Sequence, residues 1–358
     1  MAIFHFYSPS HFEKWDFRNP EKQGIGGSET AHIEMAVRLA KRGHTIVSYS
    51  PLPKDTPKIW KDVRWKDLKE ANFDDRGIWV IYRSPQIFDK FKVKHPHQQI
   101  WLVMQDTQYP QLTLKRALKC DKFFALCTTH VTVTKNNHPE IADRVILSAN
   151  GIKTDMIRKL KPQVRDPYRI MYASSPDRGL INLLHIFPKI KERISMANLH
   201  IFYGFDNISK LADKNTSIDE FGTTINELEH LMAQDGVFWH GRVGQRKLYQ
   251  EWLKSSIWAY PTRFSETSCI TSMEAQALGA IPVTNPFWAL KDNIMYGSLI
   301  DGDPSLDKLT RLRYVEEIYF WLSKGMREKQ RNDMMSEVQQ KFNWEEVVDQ
   351  YEKIASEK

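Results

Sequence analysis

One order of segments recurs along this chain and limits its fold more than any other feature: apolar run, loop, amphipathic helix, glycine, apolar run. In the sharpest instance Ile257–Tyr260 is closed by Pro261, a short loop follows, and an Ala-rich helical stretch ends at Gly279 before the run Ile281–Val283. Ile270, Met273, Ala277 and Leu278 fall at helical spacing and would pack on a sheet. The same order runs from Ile3 to Tyr49, with a helix Ser28–Arg42 stopped by Gly43, and, without the glycine stop, from Arg169 to Tyr203, with a helix Leu180–Arg193. Further strands are expected at Ile78–Tyr82, Ile100–Met104, Phe123–Leu126, Val145–Leu147 and Val237–His240. Helices are expected at Gln245–Lys254, Leu306–Leu322 and Trp344–Ile354, and Phe205–Gln234 reads as loop with one helix. Such a pattern predicts an α/β chain of doubly wound parallel sheets.

With 358 residues there is length for two domains of ordinary size. The boundaries read as 1–160, 168–340 and a last helical segment 341–358, with Lys159–Pro167, charged and holding two prolines, as the linker. Hydrophobic content of 41% and charged content of 27% are those of a globular chain, and no apolar run reaches the length of a membrane span. The start, MAIFHFYSPS, reads as a strand without a basic leader. Cys120, Cys127 and Cys269 are odd in number and wrongly spaced for zinc, which fits a reducing cytoplasm. The net charge of +7 is spread without a basic tract, so it permits an anionic partner without requiring one.

The chemistry concentrates in FSETSCITSMEAQALGAIPV, Phe264 to Val283. Two carboxylates, Glu266 and Glu274, bracket the start of its helix, which Thr267 and Ser268 could cap. The N–H groups of a helix's first turn lack intrahelical partners and favour anions, phosphate above all. Carboxylates accept from paired sugar hydroxyls. Two of them beside a phosphate site suggest a ligand with a sugar at each end. Gly26 and Gly27 open the first helix, where a glycine turn lets backbone approach a ligand. Asp106 follows an apolar run at its carboxyl end. The segment of aromatics and charges from His11 to Arg18 is long for a connection and reads as a lid. Asp301-Gly302-Asp303 reads as a turn rather than a metal site.

Glu266-x7-Glu274 with Ala275, Ala277, Gly279, Pro282 and Val283 resembles the donor segment of retaining glycosyltransferases of the GT-B fold, family 4 in particular. The resemblance implies two Rossmann-like domains facing across a cleft, the last helix crossing back to the first domain. It implies that Glu274 binds the ribose of a nucleotide and that Glu266 faces the donor sugar, with the amides of Thr267, Ser268, Cys269 and Ile270 on the phosphate. Arg178, before Gly179, resembles the element that neutralises the donor diphosphate. A second basic residue is usual there, but Ser174 and Ser175 stand in its place, and Arg242 or Lys247 could substitute. His240 and Arg242 would lie beside the nucleobase. Gly26 and Gly27 would lie near donor phosphate and acceptor, and Asp106 would contact a donor hydroxyl or orient the acceptor. Gln105 stands where many family members have a His. Asn150-Gly151-Ile152 resembles the element that ends the family's first domain.

The activity implied is transfer of a hexose, with retention, from a nucleotide diphosphate sugar, UDP-sugar first, to a hydroxyl of a glycan or lipid-linked acceptor, with no metal and no other cofactor. One enzyme alternative stands beside it, transfer to a hydroxymethylated DNA base, as in phage enzymes of the same fold; nucleotide-sugar epimerisation would need more acid/base candidates than the sequence offers. The other alternative is a catalytically inactive nucleotide-sugar-binding protein.

Overall fold

A computed structural model describes residues 1–9, 13–92, 95–205, 213, 215–219 and 222–357. The chain divides into two compact units. One holds residues 1–20, 25–151 and 342–358; the other holds 21–24 and 152–341. The division falls at Gly151 rather than at residue 160, because Met156 already packs in the second unit's core.

The first unit is built on an eight-stranded sheet: β1 (Ile3–Tyr7), β2 (Thr45–Ser50), β3 (Ile59–Trp60), β4 (Val63–Asp67), β5 (Ile78–Tyr82), β6 (Gln99–Val103), β7 (Lys122–Ala125) and β8 (Val145–Leu147). Its order is β3-β4-β2-β1-β5-β6-β7-β8, parallel throughout except for the β3–β4 pair. Period-2 alternation gives each face its own core. Phe4, Phe6, Val80 and Tyr82 pack on one side; Tyr7, Trp79 and Ile81 pack on the other. The β3–β4 hairpin is not expected from the sequence, since its short polar strands carry no apolar run. Val63 and Trp65 alternate with Arg64 and Lys66, and only the former two are buried.

Helix Trp344–Ser356 belongs to this unit. Trp344, Val347, Val348, Tyr351 and Ile354 enter its core, and Glu345, Asp349 and Glu352 hold Arg42. Gly151 is required beside it: a Cβ there would lie 2.7 Å from the Trp344 nitrogen and 2.9 Å from its ring.

The second unit has six strands: β9 (Asp166–Tyr172), β10 (Asn198–Ile201), β11 (Val237–Trp239), β12 (Ser255–Tyr260), β13 (Ile281–Thr284) and β14 (Ser298–Leu299). They are all parallel, in the order β11-β10-β9-β12-β13-β14. Helix Leu180–Arg193 puts Leu183, Leu184, Phe187 and Ile190 into the core. The linker expectation at 159–167 is corrected. The guanidinium of Arg165 donates to the carbonyls of Trp252, Ser255 and Leu278, and β9 already begins at Asp166. Helix Glu328–Lys341 is also unexpected. Only Met334 and Val338 are buried on it, too few to show as a periodic stripe.

The expected loop with one helix at 205–234 contains helix Ile225–Met232, capped by Thr224, while residues 206–212, 214 and 220–221 lie outside the described residues. Asp301–Asp303 is a turn: the Asp303 carboxylate accepts the Ser305 N–H and faces Arg263. Among the described residues no helix is long and apolar enough to cross a membrane.

Candidate functional site

In an open parallel sheet the ligand crevice lies beyond the carboxyl ends of the strands where the winding direction reverses. In the second unit that point lies between β9 and β12: the chain winds outward from β9 to β11, then returns to the other side of β9. The residues just past those two strands are Ser174 to Gly179 and Pro261 to Cys269.

There the structure brings Ser174, Arg178 and Glu266 together. Arg178 Nη1 donates to Glu266 Oε1 at 3.1 Å, and the Tyr260 hydroxyl donates to the same oxygen at 2.7 Å. Ser174 Oγ lies 3.3 Å from that hydroxyl. Phe264 lies under the guanidinium, 4.1 Å from ring centre to carbon, a cation–π contact that limits where Arg178 swings. Burial alone would ease the proton off Arg178, but Glu266, with Tyr260, Asp177 and Tyr203 adding to it, outweighs burial and holds the guanidinium charged. Three polar atoms near this point are buried without a hydrogen-bond partner among the described residues: Arg178 Nε, Asp177 Oδ1 and Ser268 Oγ. Buried polar atoms of folded proteins are mostly satisfied, so the cluster fits a polar ligand.

Gly179 makes the approach of the two loops possible. Its φ is +100°, and any Cβ would meet the Pro261 carbonyl oxygen. Asn182 and Thr271 bind carbonyls across the same gap, Asn182 that of Pro261 and Thr271 that of Ala173.

The helix after β12 is Ile270–Ala277, and its capping expectation is corrected. Cys269, not Thr267 or Ser268, is the cap; it adopts φ +50° and gives no side-chain hydrogen bond to the helix. Trp288, whose following Ala289 N–H binds the Glu266 carbonyl, is also left-handed at φ +51°. Non-glycine residues held in that region store strain, and such residues cluster at ligand sites. Glu266, Thr267, Ser268 and Cys269 are all buried, while Ile270 is half-buried.

Glu274 is buried one turn into that helix. Its Oε1 accepts from Tyr249 Oη and Gln245 Nε2, both at 2.9 Å. Burial pushes its carboxyl up to about 7, against those two hydrogen bonds and the nearby Lys153 charge. Among the described residues the two glutamates share no hydrogen-bond partner: one is held by Tyr260 and Arg178, the other by Tyr249 and Gln245. Tyr260, Tyr249 and Gln245 escape sequence reading. Tyr260 carried a faint signal, a hydroxyl at the end of an apolar run before a proline.

His240 and Arg242 stand apart from this cluster. His240 stacks on Phe202 at 4.4 Å and lies within hydrogen-bond reach of His200, 2.8 Å between ring nitrogens. Burial and then the Arg169 charge lower the proton affinity of His240. Arg242 donates to the Gly24 carbonyl at 3.1 Å. Lys247 is paired with Glu251, which also holds Arg169 and Lys254.

In the first unit the winding reverses between β1 and β5. Gly26 caps helix Gly27–Lys41 with backbone alone. Asp106, past β6, is held by Arg83, past β5, through two bonds: Nε to Oδ2 at 2.9 Å and Nη2 to Oδ1 at 2.6 Å. The buried Tyr109 hydroxyl accepts the N–H groups of Gln105 and Asp106. Burial pushes the Glu29 carboxyl above its usual range; Arg83 opposes that, and Glu13 and Asp106 add to it.

The lid expectation for residues 11–18 is corrected over its described part. Trp15 and Phe17 are buried in the core, Phe17 stacked on Trp60 at 4.1 Å, and Asp16 is locked by Arg18 and Thr56. His11 and Phe12 lie outside the described residues.

No model of a protein family matches the chain, and no curated protein matches it in sequence. Solved structures do. A sucrose-phosphate synthase from Thermosynechococcus elongatus superposes with a TM-score of 0.72 over 99% of this chain and 98% of that one, at 12% identity. A glycosyltransferase from Rickettsia africae gives 0.70 over 99% and 97%, at 14% identity. The catalytic domain of starch synthase IV from Arabidopsis thaliana, bound to ADP and acarbose, gives 0.64 over 99% and 98%, at 11% identity. At such identities the likeness establishes the fold, which is GT-B across the chain.

Proposed function

We propose that the protein is a retaining glycosyltransferase resembling family 4, moving a hexose from a nucleotide diphosphate sugar, UDP-sugar first, to a hydroxyl acceptor in the cytoplasm. The observation that carries this reading is the Ser174–Tyr260–Glu266–Arg178 cluster at the second unit's switch point, beside the amino end of helix Ile270–Ala277. It offers a cation and a helix N-terminus for a diphosphate and carboxylates for sugar hydroxyls. Two of the similar structures are named as a synthase and a transferase of sugars, and a third holds ADP.

In this reading the Arg178–Glu266 pair opens when donor binds. Arg178 turns to the diphosphate, where a guanidinium binds oxygens in pairs, and Glu266 accepts from the donor sugar's hydroxyls. Tyr260 keeps the carboxylate oriented during the exchange. The leaving phosphate takes the acceptor's proton on the face it departs from, so the new bond forms with retention and needs no metal. Arg178 and the helix N-terminus stabilise the charge that develops on it. Glu274 accepts from the ribose through Oε2, because Tyr249 and Gln245 occupy Oε1.

A thermal-shift screen of nucleotide sugars, followed by a donor-hydrolysis assay, tests this. UDP-sugars should raise the melting temperature and release UDP slowly without acceptor. Absence of any shift across UDP-, ADP- and GDP-sugars sinks the reading; a shift without hydrolysis or transfer supports the inactive nucleotide-sugar-binding alternative. No observation here favours a nucleic-acid acceptor.

A further inference from the structure

A pocket of about 190 Å³ opens at the carboxyl edge of the first unit's sheet, lined by residues following β5 and β6. Its two charged side chains, Arg83 and Asp106, are spent on each other through two hydrogen bonds. The remaining polar lining is neutral, chiefly the carboxamides of Gln86, Gln108 and Gln111. Each carboxamide offers donor and acceptor together, which suits hydroxyl groups on neighbouring carbons. Pro85 and Pro110 give it rigid apolar walls for the C–H faces of a ring.

The backbone here is held under strain. Arg83 sits at φ +64°, fixed by its N–H bond to the Val103 carbonyl at 3.1 Å. A non-glycine residue kept left-handed is strained, and such residues cluster at ligand sites. Charge selects the ligand. An anion would face the Asp106 carboxylate, with the Arg83 guanidinium already paired to it.

We propose that this pocket binds one neutral sugar ring and discriminates against anionic sugars, with Asp106 and the Gln86, Gln108 and Gln111 carboxamides taking its hydroxyls. Under the transferase reading this ring is the acceptor, and that identification alone rests on that reading.

The test is saturation-transfer NMR on the full-length chain with glucose, galactose, mannose and N-acetylglucosamine, against glucuronate and glucose 6-phosphate. At least one neutral sugar should bind saturably in the millimolar range, with the anionic sugars about tenfold weaker or undetectable. Asp106→Asn should weaken binding about fivefold or more, and exposed Gln108→Ala, which cannot unfold the chain, about threefold. The proposal is overturned if no neutral sugar binds, if anionic sugars bind as well as neutral ones, or if Glu266→Ala abolishes binding while Gln108→Ala does not. UDP binding is measured on the same samples. Sugar bound without nucleotide leaves the pocket standing and sinks the transferase reading; nucleotide bound without sugar does the reverse.

Discussion

Both units place an arginine–carboxylate pair beyond the carboxyl ends of a parallel sheet, yet the surroundings of the two pairs differ. Arg178–Glu266 is shielded, with the glutamate side chain only 8% exposed, and it sits beside a helix N-terminus and several unsatisfied polar atoms. Arg83–Asp106 is open on both sides, 37% and 39% exposed, and is ringed by neutral amides. The difference teaches that topology chooses where a ligand lies, while local charge balance chooses which ligand. Under the two proposals above, the pair beside a helix dipole and unsatisfied polar atoms suits an anion once it opens, and the pair among carboxamides suits a neutral polyol.

The largest effect expected from breaking this comparison is at Glu266. Glu266→Ala should cut turnover about 100-fold, as the loss of one charge-stabilising contact does, with donor affinity within about threefold. Wild-type turnover in that variant would remove the second unit's cluster from the chemistry.

Gly179→Ala comes next. It forces a methyl onto the Pro261 carbonyl at φ +100° and should cost about 2 kcal/mol, read by chemical denaturation. An unchanged midpoint would mean the two loops of the second unit are not held at close approach.

Glu274→Ala should weaken donor binding about tenfold with smaller change in turnover, read by calorimetry with UDP-sugar. Unchanged affinity would exclude Glu274 from the nucleotide's site.

The last effect is confined to a pH window and belongs to Glu274. Its folded pKa of about 7 lies above the usual 4.5, so the folded state keeps a proton that the unfolded chain gives up. Its contribution to stability is full below pH 4.5 and is lost as pH rises through 7, about 3 kcal/mol in all. Glu274→Gln should flatten that slope in melting temperature between pH 5 and 7.5. Donor affinity should rise over the same window in the wild type only, since the ionised carboxylate is the better acceptor.

The local grammar of this chain was legible because burial on both faces of a parallel sheet demands apolar runs, and Ile78–Tyr82 shows one without interruption. The β3–β4 hairpin and helix Glu328–Lys341 were not, because each buries too few side chains to leave a period. Within the site, Glu266 and Glu274 could be found since they share one segment. Tyr249 could not, because what makes it matter is a hydroxyl meeting a carboxylate 25 residues away. The Thr267–Ser268 cap failed because a left-handed Cys269 took the position, a conformation that no local preference of cysteine foretells.

Residue order alone thus determined the two α/β halves and the strand–loop–helix segment that carries both glutamates, since hydrophobic period and glycine stops act over a few neighbours. Tertiary structure decided that Arg178 rests on Glu266 across 88 residues, that Asp106 is cancelled by Arg83, and that Trp15 and Phe17 fill core instead of forming a lid. Charge pairing and burial depend on distances through space, and only the packed chain sets those.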